Sequence, residues 1–202
     1  MSAQRQTAPE LPLGPGPLPD RPRRLSMVTQ WFKPEPVGAP AWITDGLRAA
    51  GWSVSVLTGV PNFPTGKVHD GYAAWRPGRE TLGGIPVRRA PLFPSHDGSA
   101  VRRMANYVSW SLSASVFGNR LLGGSDVSLV YSSPATAALP AMVAKAVRGV
   151  PYVLMVQDVW PDSVFASGFL TSGTTRRVVN ALLDVFVDLT YRHAAEIAAQ
   201  TA

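Results

Sequence analysis

Short apolar runs alternate along most of the chain with longer segments that have helical spacing. The apolar runs are typical of buried strands, and the longer segments are typical of crossover helices. Strands are predicted at residues 25–29, 53–58, 86–90, 128–131, 152–156 and 196–199, and helices at 39–50, 100–122, 135–147 and 174–193. This alternation predicts an α/β fold with a doubly wound, mostly parallel, Rossmann-like sheet.

Glycine, serine and proline refine the predicted helix boundaries. Gly51 is expected to end the first helix. Ser133 and Pro134 are typical of an N-cap serine with proline at the first helical position, and capping alone would explain them. Pro140 is expected to kink the helix that follows.

Residues 1–24 differ in composition from the rest of the chain. Six of the 19 prolines lie there, and no apolar run follows Met1, so a flexible proline-rich tail is predicted rather than a secretory signal. Residues 25–202 are predicted to form one domain. The longest uncharged stretches are shorter than the roughly 20 apolar residues that a spanning helix needs.

Composition excludes several classes of protein. The chain has no cysteine and three histidines, which excludes a disulfide scaffold, a thiol nucleophile and a cysteine-rich zinc site. The net charge is +6, but the basic residues form no dense block. Nucleic acid is therefore not an expected partner, whereas an anionic small substrate or an anionic membrane surface is compatible with this charge.

Ligands bind at the carboxyl ends of the strands in such sheets, so the loops after the strands carry the candidate chemistry. After the first strand, Gly38 stands at a helix start, where backbone N–H groups can approach a phosphate; a plain turn glycine is the alternative. After the second strand, Asn62 and Lys67 offer polar groups beside Phe63, which suits a sugar; a surface turn is the alternative.

His96 and Asp97 follow the next predicted strand. They do not form a catalytic triad with a serine, because sequence neighbours cannot place nucleophile, base and orienting carboxylate in line, and no G-x-S-x-G segment is present. His96 remains a candidate for binding a polar ligand.

The helix predicted at 100–122 carries Tyr107, Trp110 and Phe117 on one face, with Arg102 and Arg103 near its start. Such an aromatic face is usually core. The alternative is a basic and aromatic patch that touches lipid head groups, with Arg102, Arg103 and Trp110 as its contacts.

The most informative loop follows the buried strand at 152–156. Gln157, Asp158 and Asp162 emerge there beside Trp160. Carboxylates accept hydrogen bonds from sugar hydroxyls, and an indole covers the apolar face of a sugar ring. Helix capping would explain one of the two aspartates but not both.

Five segments together resemble the N-terminal domain of family 4 glycosyltransferases, in the branch that builds colanic acid, O-antigen and capsular polysaccharides. They are Gln30-Trp31-Phe32 with Pro34-Glu35, the run Pro61 to Lys67, the run Pro94 to Ser99, the run Ser133 to Thr136, and the run Val156 to Ser163. The resemblance covers roughly residues 25–202.

The resemblance implies retaining, metal-independent glycosyl transfer in the GT-B architecture, whose N-terminal half mainly holds the acceptor. The residues expected to bind that acceptor are Asn62, Lys67, His96 and Trp160. Gly38 would approach the diphosphate of a nucleotide-sugar donor. A polar residue of the last loop would face the acceptor; many relatives have histidine there, and Gln157 or Asp158 stands at that place here. The leaving phosphate would assist the acceptor hydroxyl, with Asp158 and Asp162 orienting it.

No cofactor and no metal are expected, since the nucleotide-sugar is a substrate. The family's second domain would follow the strand at 196–199 and is absent from the 202 residues, so the chain alone is expected to transfer no sugar. The expected partners are a nucleotide-diphosphate sugar and a lipid-linked or saccharide acceptor, at the cytoplasmic face of the cell membrane. The alternatives are a non-catalytic module that binds a lipid-linked sugar and, on fold analogy alone, a nicotinamide oxidoreductase.

Overall fold

The computed structural model describes residues 22–96, 99–158, 160 and 173–199. Seven strands form one sheet in the order β3-β4-β2-β1-β5-β6-β7, in which only β3 runs antiparallel to its neighbour. The strands are β1 (Arg24–Val28), β2 (Ser53–Gly59), β3 (Gly78–Leu82), β4 (Ile85–Ala90), β5 (Val127–Ser132), β6 (Tyr152–Val156) and β7 (Glu196–Ala199). The helices are α1 (Gly38–Ala49), α2 (Ala100–Phe117), α3 (Asn119–Leu122), α4 (Leu139–Arg148) and α5 (Gly173–His193).

The predicted α/β fold is confirmed, because two hydrophobic cores lie on opposite faces of this mostly parallel sheet. Successive residues of a strand point to opposite faces. Val28 accordingly packs with Trp110 of α2, whereas its neighbour Met27 packs in the second core with Ala41 of α1. Parallel strands of this kind leave the carboxyl ends of β1, β2, β4, β5 and β6 at one edge of the sheet, which we call the carboxyl edge.

Three local predictions differ from the structure. Pro140 lies in the first turn of α4, after a 3-10 turn at Ala135–Ala138, so it begins a helix instead of kinking one. Ser133 caps no helix; the 3-10 turn has Pro134 at its N-cap without a side-chain bond. The predicted helix at 100–122 is interrupted at Gly118, where a β-carbon would meet the Leu57 side chain at 2.3 Å.

The sequence pattern does not predict β3, which pairs with β4 at the edge of the sheet. Arg89 of β4 is 1% exposed and donates to the Glu80 carboxylate of β3. The same guanidinium donates to the carbonyls of Gly59, at 2.9 Å, and of Lys33. A buried arginine thus joins the edge strand to the ends of β1 and β2, where the candidate loops begin.

Candidate functional site

Aromatic rings from five different segments meet at the carboxyl edge. We call this group the aromatic cluster; its members are Trp31, Phe63, His96, Tyr107 and Trp160. Ring centroids lie 5.4 Å apart for Trp31 and Phe63, 4.7 Å for Phe63 and His96, 6.1 Å for Trp31 and Tyr107, and 6.4 Å for Tyr107 and Trp160. The loops after β1, β2, β4 and β6 and the side of α2 therefore share one continuous aromatic surface.

His96 lies within the aromatic cluster, edge-on to both Trp31 and Phe63. Burial lowers the pKa of the imidazole, and the nearby positive charge of Arg103 lowers it further. The ring is therefore neutral near pH 7 and offers both a donor and an acceptor nitrogen to a polar ligand.

Asp158 is held in place by a serine that directly follows the neighbouring strand β5. The Ser133 hydroxyl donates to Oδ2 of Asp158 at 2.8 Å, directly after the ends of β5 and β6. Burial is the main cause that raises the pKa of Tyr107. The positive charge of Arg103 lowers this pKa, and the negative charge of Asp158 raises it. Burial and Asp158 also raise the pKa of Tyr131. The carboxylate thus lies close to two neutral phenols and beside the aromatic cluster.

Trp160 is only 7% exposed, which restricts its expected role in acceptor binding. The indole packs on Ala135 and against Leu183 and Val187 of α5. The indole is therefore held between Ala135 and α5 and beside Tyr107, and little of its own face is available to a ligand.

Asn62 is 1% exposed and belongs to a chain of buried amides. Its Nδ2 donates to the Val60 carbonyl at 3.0 Å, and its Oδ1 accepts from Asn106 at 3.2 Å. Asn106 in turn accepts from Gln30 at 2.6 Å and donates to the Phe93 carbonyl at 2.7 Å. The prediction that Asn62 binds the acceptor directly is therefore wrong, because its amide links the loops of the site from beneath.

Glu35 joins the loops after β1 and β2, a role that the sequence analysis did not assign. Glu35 is 4% exposed; Oε2 accepts from the Phe32 N–H at 3.0 Å, and Oε1 accepts from the N–H groups of Asn62 and Phe63, both at 2.9 Å. Burial raises the pKa of Glu35, opposed by these three bonds and by Arg89. A buried carboxylate that receives three backbone donors fixes Phe63 within the aromatic cluster.

Glu35→Gln is expected to lower the free energy of unfolding by about 2 kcal/mol, within the range for hydrogen bonds to a charged group. Glutamine has one oxygen, so its NH₂ group would face a backbone N–H that now has an acceptor. Urea unfolding measures the change. Asp45→Asn is the matched control, because Asp45 is exposed and its contact with Lys33 spans 3.4 Å. Equal effects for both variants would contradict the role given to Glu35.

The other predicted site residues occupy different positions. Gly38 is the first residue of α1, whose N-cap Val37 makes no side-chain bond, and Lys67 is exposed in the loop after β2. Gln157 is half-buried after β6. Asp162 lies outside the described residues.

Trp110 of α2 is fully buried in the hydrophobic core, so the prediction that it contacts a membrane is wrong. Of the two arginines, Arg102 is exposed with its guanidinium 5.7 Å from the centre of the Phe93 ring, whereas Arg103 lies toward His96 and Tyr107.

No group of three His, Asp or Glu side chains in the described part of the chain has an arrangement that would hold a metal ion. No helix within that part is both long and apolar enough to cross a membrane.

Comparison with known proteins identifies a family and a curated relative to which this chain is similar. A family model described as a glycosyl transferase 4-like domain matches residues 39–202. The putative colanic acid biosynthesis glycosyl transferase WcaI of Escherichia coli (strain K12) is 31% identical over 86 residues, which cover 41% of this chain and 21% of that relative. The match thus spans about a fifth of the relative's length.

Proposed function

Because the chain belongs to the family of glycosyl transferase 4-like domains, we propose that it is the acceptor-binding half of a retaining, metal-independent glycosyltransferase that uses a nucleotide-sugar donor. The observation that carries the proposal is the meeting of the aromatic cluster with Asp158 at the carboxyl edge. Open parallel sheets bind ligands at this edge.

The chemistry of the aromatic cluster suits a sugar. Trp31 and Phe63 are half-buried, so part of each ring remains open to the apolar face of a pyranose. His96 adds a neutral imidazole at the same surface. Ser133 holds Oδ2 of Asp158, and we assign Oδ1 to the attacking hydroxyl of the acceptor. Oriented in this way, the hydroxyl loses little rotational freedom on reaction, and the carboxylate stabilises the positive charge that develops on its oxygen.

The donor diphosphate is assigned to the start of α1. The first N–H groups of a helix have no partner within the helix, and Val37 provides no side-chain cap. A β-carbon on Gly38 would lie 2.7 Å from the Trp42 ring, so glycine lets this indole pack against the start of α1. The unpaired N–H groups of that first turn are the ones that we assign to the diphosphate oxygens. The bond from the anomeric carbon to the donor phosphate breaks, and the acceptor oxygen bonds to that carbon on the same face without a protein nucleophile. The departing phosphate receives the proton of the acceptor hydroxyl.

The setting that we propose is polysaccharide or glycolipid synthesis on a lipid-linked acceptor at the inner face of the cell membrane. The name of the Escherichia coli relative, which refers to colanic acid biosynthesis, supports this class of product.

A transfer assay tests the proposal. The chain, joined to a nucleotide-sugar-binding domain, receives labelled nucleotide sugars, a prenyl-diphosphate-linked sugar and EDTA. We expect a labelled product whose anomeric configuration, read by NMR, matches that of the donor. An inverted product, or activity that EDTA abolishes and Mg²⁺ restores, would contradict the mechanism. Acceptor binding without transfer would favour the non-catalytic module.

A further inference from the structure

From Met104 to Phe117, about four turns of α2 carry no charged side chain. Val101, Val108, Leu112 and Val116 are 71%, 40%, 56% and 72% exposed. Their spacing places them within one strip of the helix surface, about 23 Å long at 1.5 Å per residue. We call these four residues the apolar strip. A surface helix normally turns charged and polar residues outward, so this face needs a partner.

An open groove of about 800 Å³ continues the apolar strip at the end of α2. Its walls include Val116 and Phe117 together with three arginines, Arg79, Arg88 and Arg120. Burial lowers the pKa of Arg88, and the positive charge of Arg79 lowers it further. We call these three residues the arginine groove; their neighbouring positive charges favour an anion between them.

Among the described residues that line the groove, one is acidic. Glu80 also lines the groove, but its carboxylate accepts from Arg89 and, at 3.1 Å, from the Tyr72 hydroxyl. The exposed apolar residues of α5 differ in this respect, because the exposed carboxylates Asp184 and Asp188 lie among them. Positive charge beside an uninterrupted apolar face therefore distinguishes α2 from α5.

We propose that the apolar strip and the arginine groove dock the protein onto an anionic phospholipid bilayer. The apolar strip enters the boundary between head groups and acyl chains, and the arginine groove binds lipid phosphates. This inference rests on the proposed function and adds to it the surface that meets the lipid.

Docking through α2 brings the bilayer close to the aromatic cluster. Val108 belongs to the apolar strip, whereas its neighbour Tyr107 points from the same helix toward Trp31, with 6.1 Å between the ring centroids. A helix with its side chains is about 10–12 Å wide. A sugar on a lipid diphosphate would therefore need to rise only about one helix diameter above the membrane to reach the site.

Vesicle sedimentation without acceptor or donor tests the proposal. The vesicles contain phosphatidylcholine, alone or mixed equally with phosphatidylglycerol. The double variant Arg79→Gln with Arg120→Gln is expected to bind the mixed vesicles about thirtyfold more weakly, because each arginine contributes about 1 kcal/mol of attraction to an anionic surface. Leu112→Ser with Val116→Ser should weaken binding about tenfold, with less dependence on salt.

Matched controls lie on α5. Arg177→Gln and Leu182→Ser remove an exposed charge and an exposed apolar side chain from α5, and both should sediment like the wild-type chain. Asp158→Asn should also sediment normally, which separates docking from catalysis. Unchanged binding by the α2 and groove variants would overturn the proposal. So would a change from dimer to monomer in the Leu112 and Val116 variant, which would make the apolar strip an interface between two copies.

Discussion

Asp158→Asn is expected to lower turnover about a hundredfold in a glycosyltransferase that carries this chain together with its donor-binding domain. A loss of this size is typical when a group that acts on a proton in the transition state is removed. Asparagine keeps the shape of the side chain and still accepts from Ser133. It lacks the negative charge that stabilises the acceptor oxygen as that oxygen attacks. The loss should appear in kcat more than in KM, because the charge matters most in the transition state.

Steady-state transfer kinetics and thermal unfolding on the same samples check this expectation. Ser133→Ala is the informative companion, because it removes the 2.8 Å bond to Asp158 without removing the charge, and its loss should be smaller. If Asp158→Asn leaves kcat unchanged, Asp158 is not part of the reacting site. If it mainly lowers the melting temperature, the carboxylate is structural.

Gly66→Ala is expected to lower the free energy of unfolding by about 3 kcal/mol, since strain and overpacking act together. Gly66 has φ +74°, in the left-handed region that disfavours a β-carbon. An added β-carbon would lie 2.3 Å from the backbone nitrogen of His96. Backbone atoms cannot rotate away as a side chain can, so His96 must move out of the aromatic cluster.

Gly71→Ala provides a matched control. Gly71 has φ +83°, but a β-carbon there would meet nothing within 4 Å. Its cost should be about 1 kcal/mol, from backbone conformation alone. Urea unfolding of both variants isolates the contact with His96. Equal destabilisation would mean that the loop after β2 does not press on the loop after β4 in solution.

The sequence predicts six of the seven strands to within a residue or two, because buried parallel strands are nearly continuous apolar runs. It does not predict β3, because Gly78–Leu82 contains one apolar residue and two charged ones. The pairing of β3 depends on the buried contact between Glu80 and Arg89, which joins strands through tertiary structure.

The candidate site shows the same division between local and tertiary information. The rule that ligands bind at strand ends places Asp158 and His96 correctly at the carboxyl edge. It cannot show that Ser133 donates to Asp158, since a serine before a proline fits a helix cap equally well. Helical spacing gives the faces of α2 without telling which one packs on the sheet, so it left both the core and a membrane contact open for Trp110. Once Trp110 is in the core, the valines and leucine between the aromatic residues become the exposed side.

The most direct test of the central claim is an NMR titration of the ¹⁵N-labelled chain with a soluble short-prenyl diphosphate-linked sugar. The chain has a mass of 21.6 kDa, which suits this measurement. We expect the largest shifts in the amide and indole N–H signals of Trp31 and in the amides of Phe63, His96 and Asp158, and we expect the same prenyl diphosphate without sugar to leave them nearly unchanged. Shifts confined to other parts of the chain, or equal shifts with the sugar-free lipid, would contradict acceptor binding at the carboxyl edge.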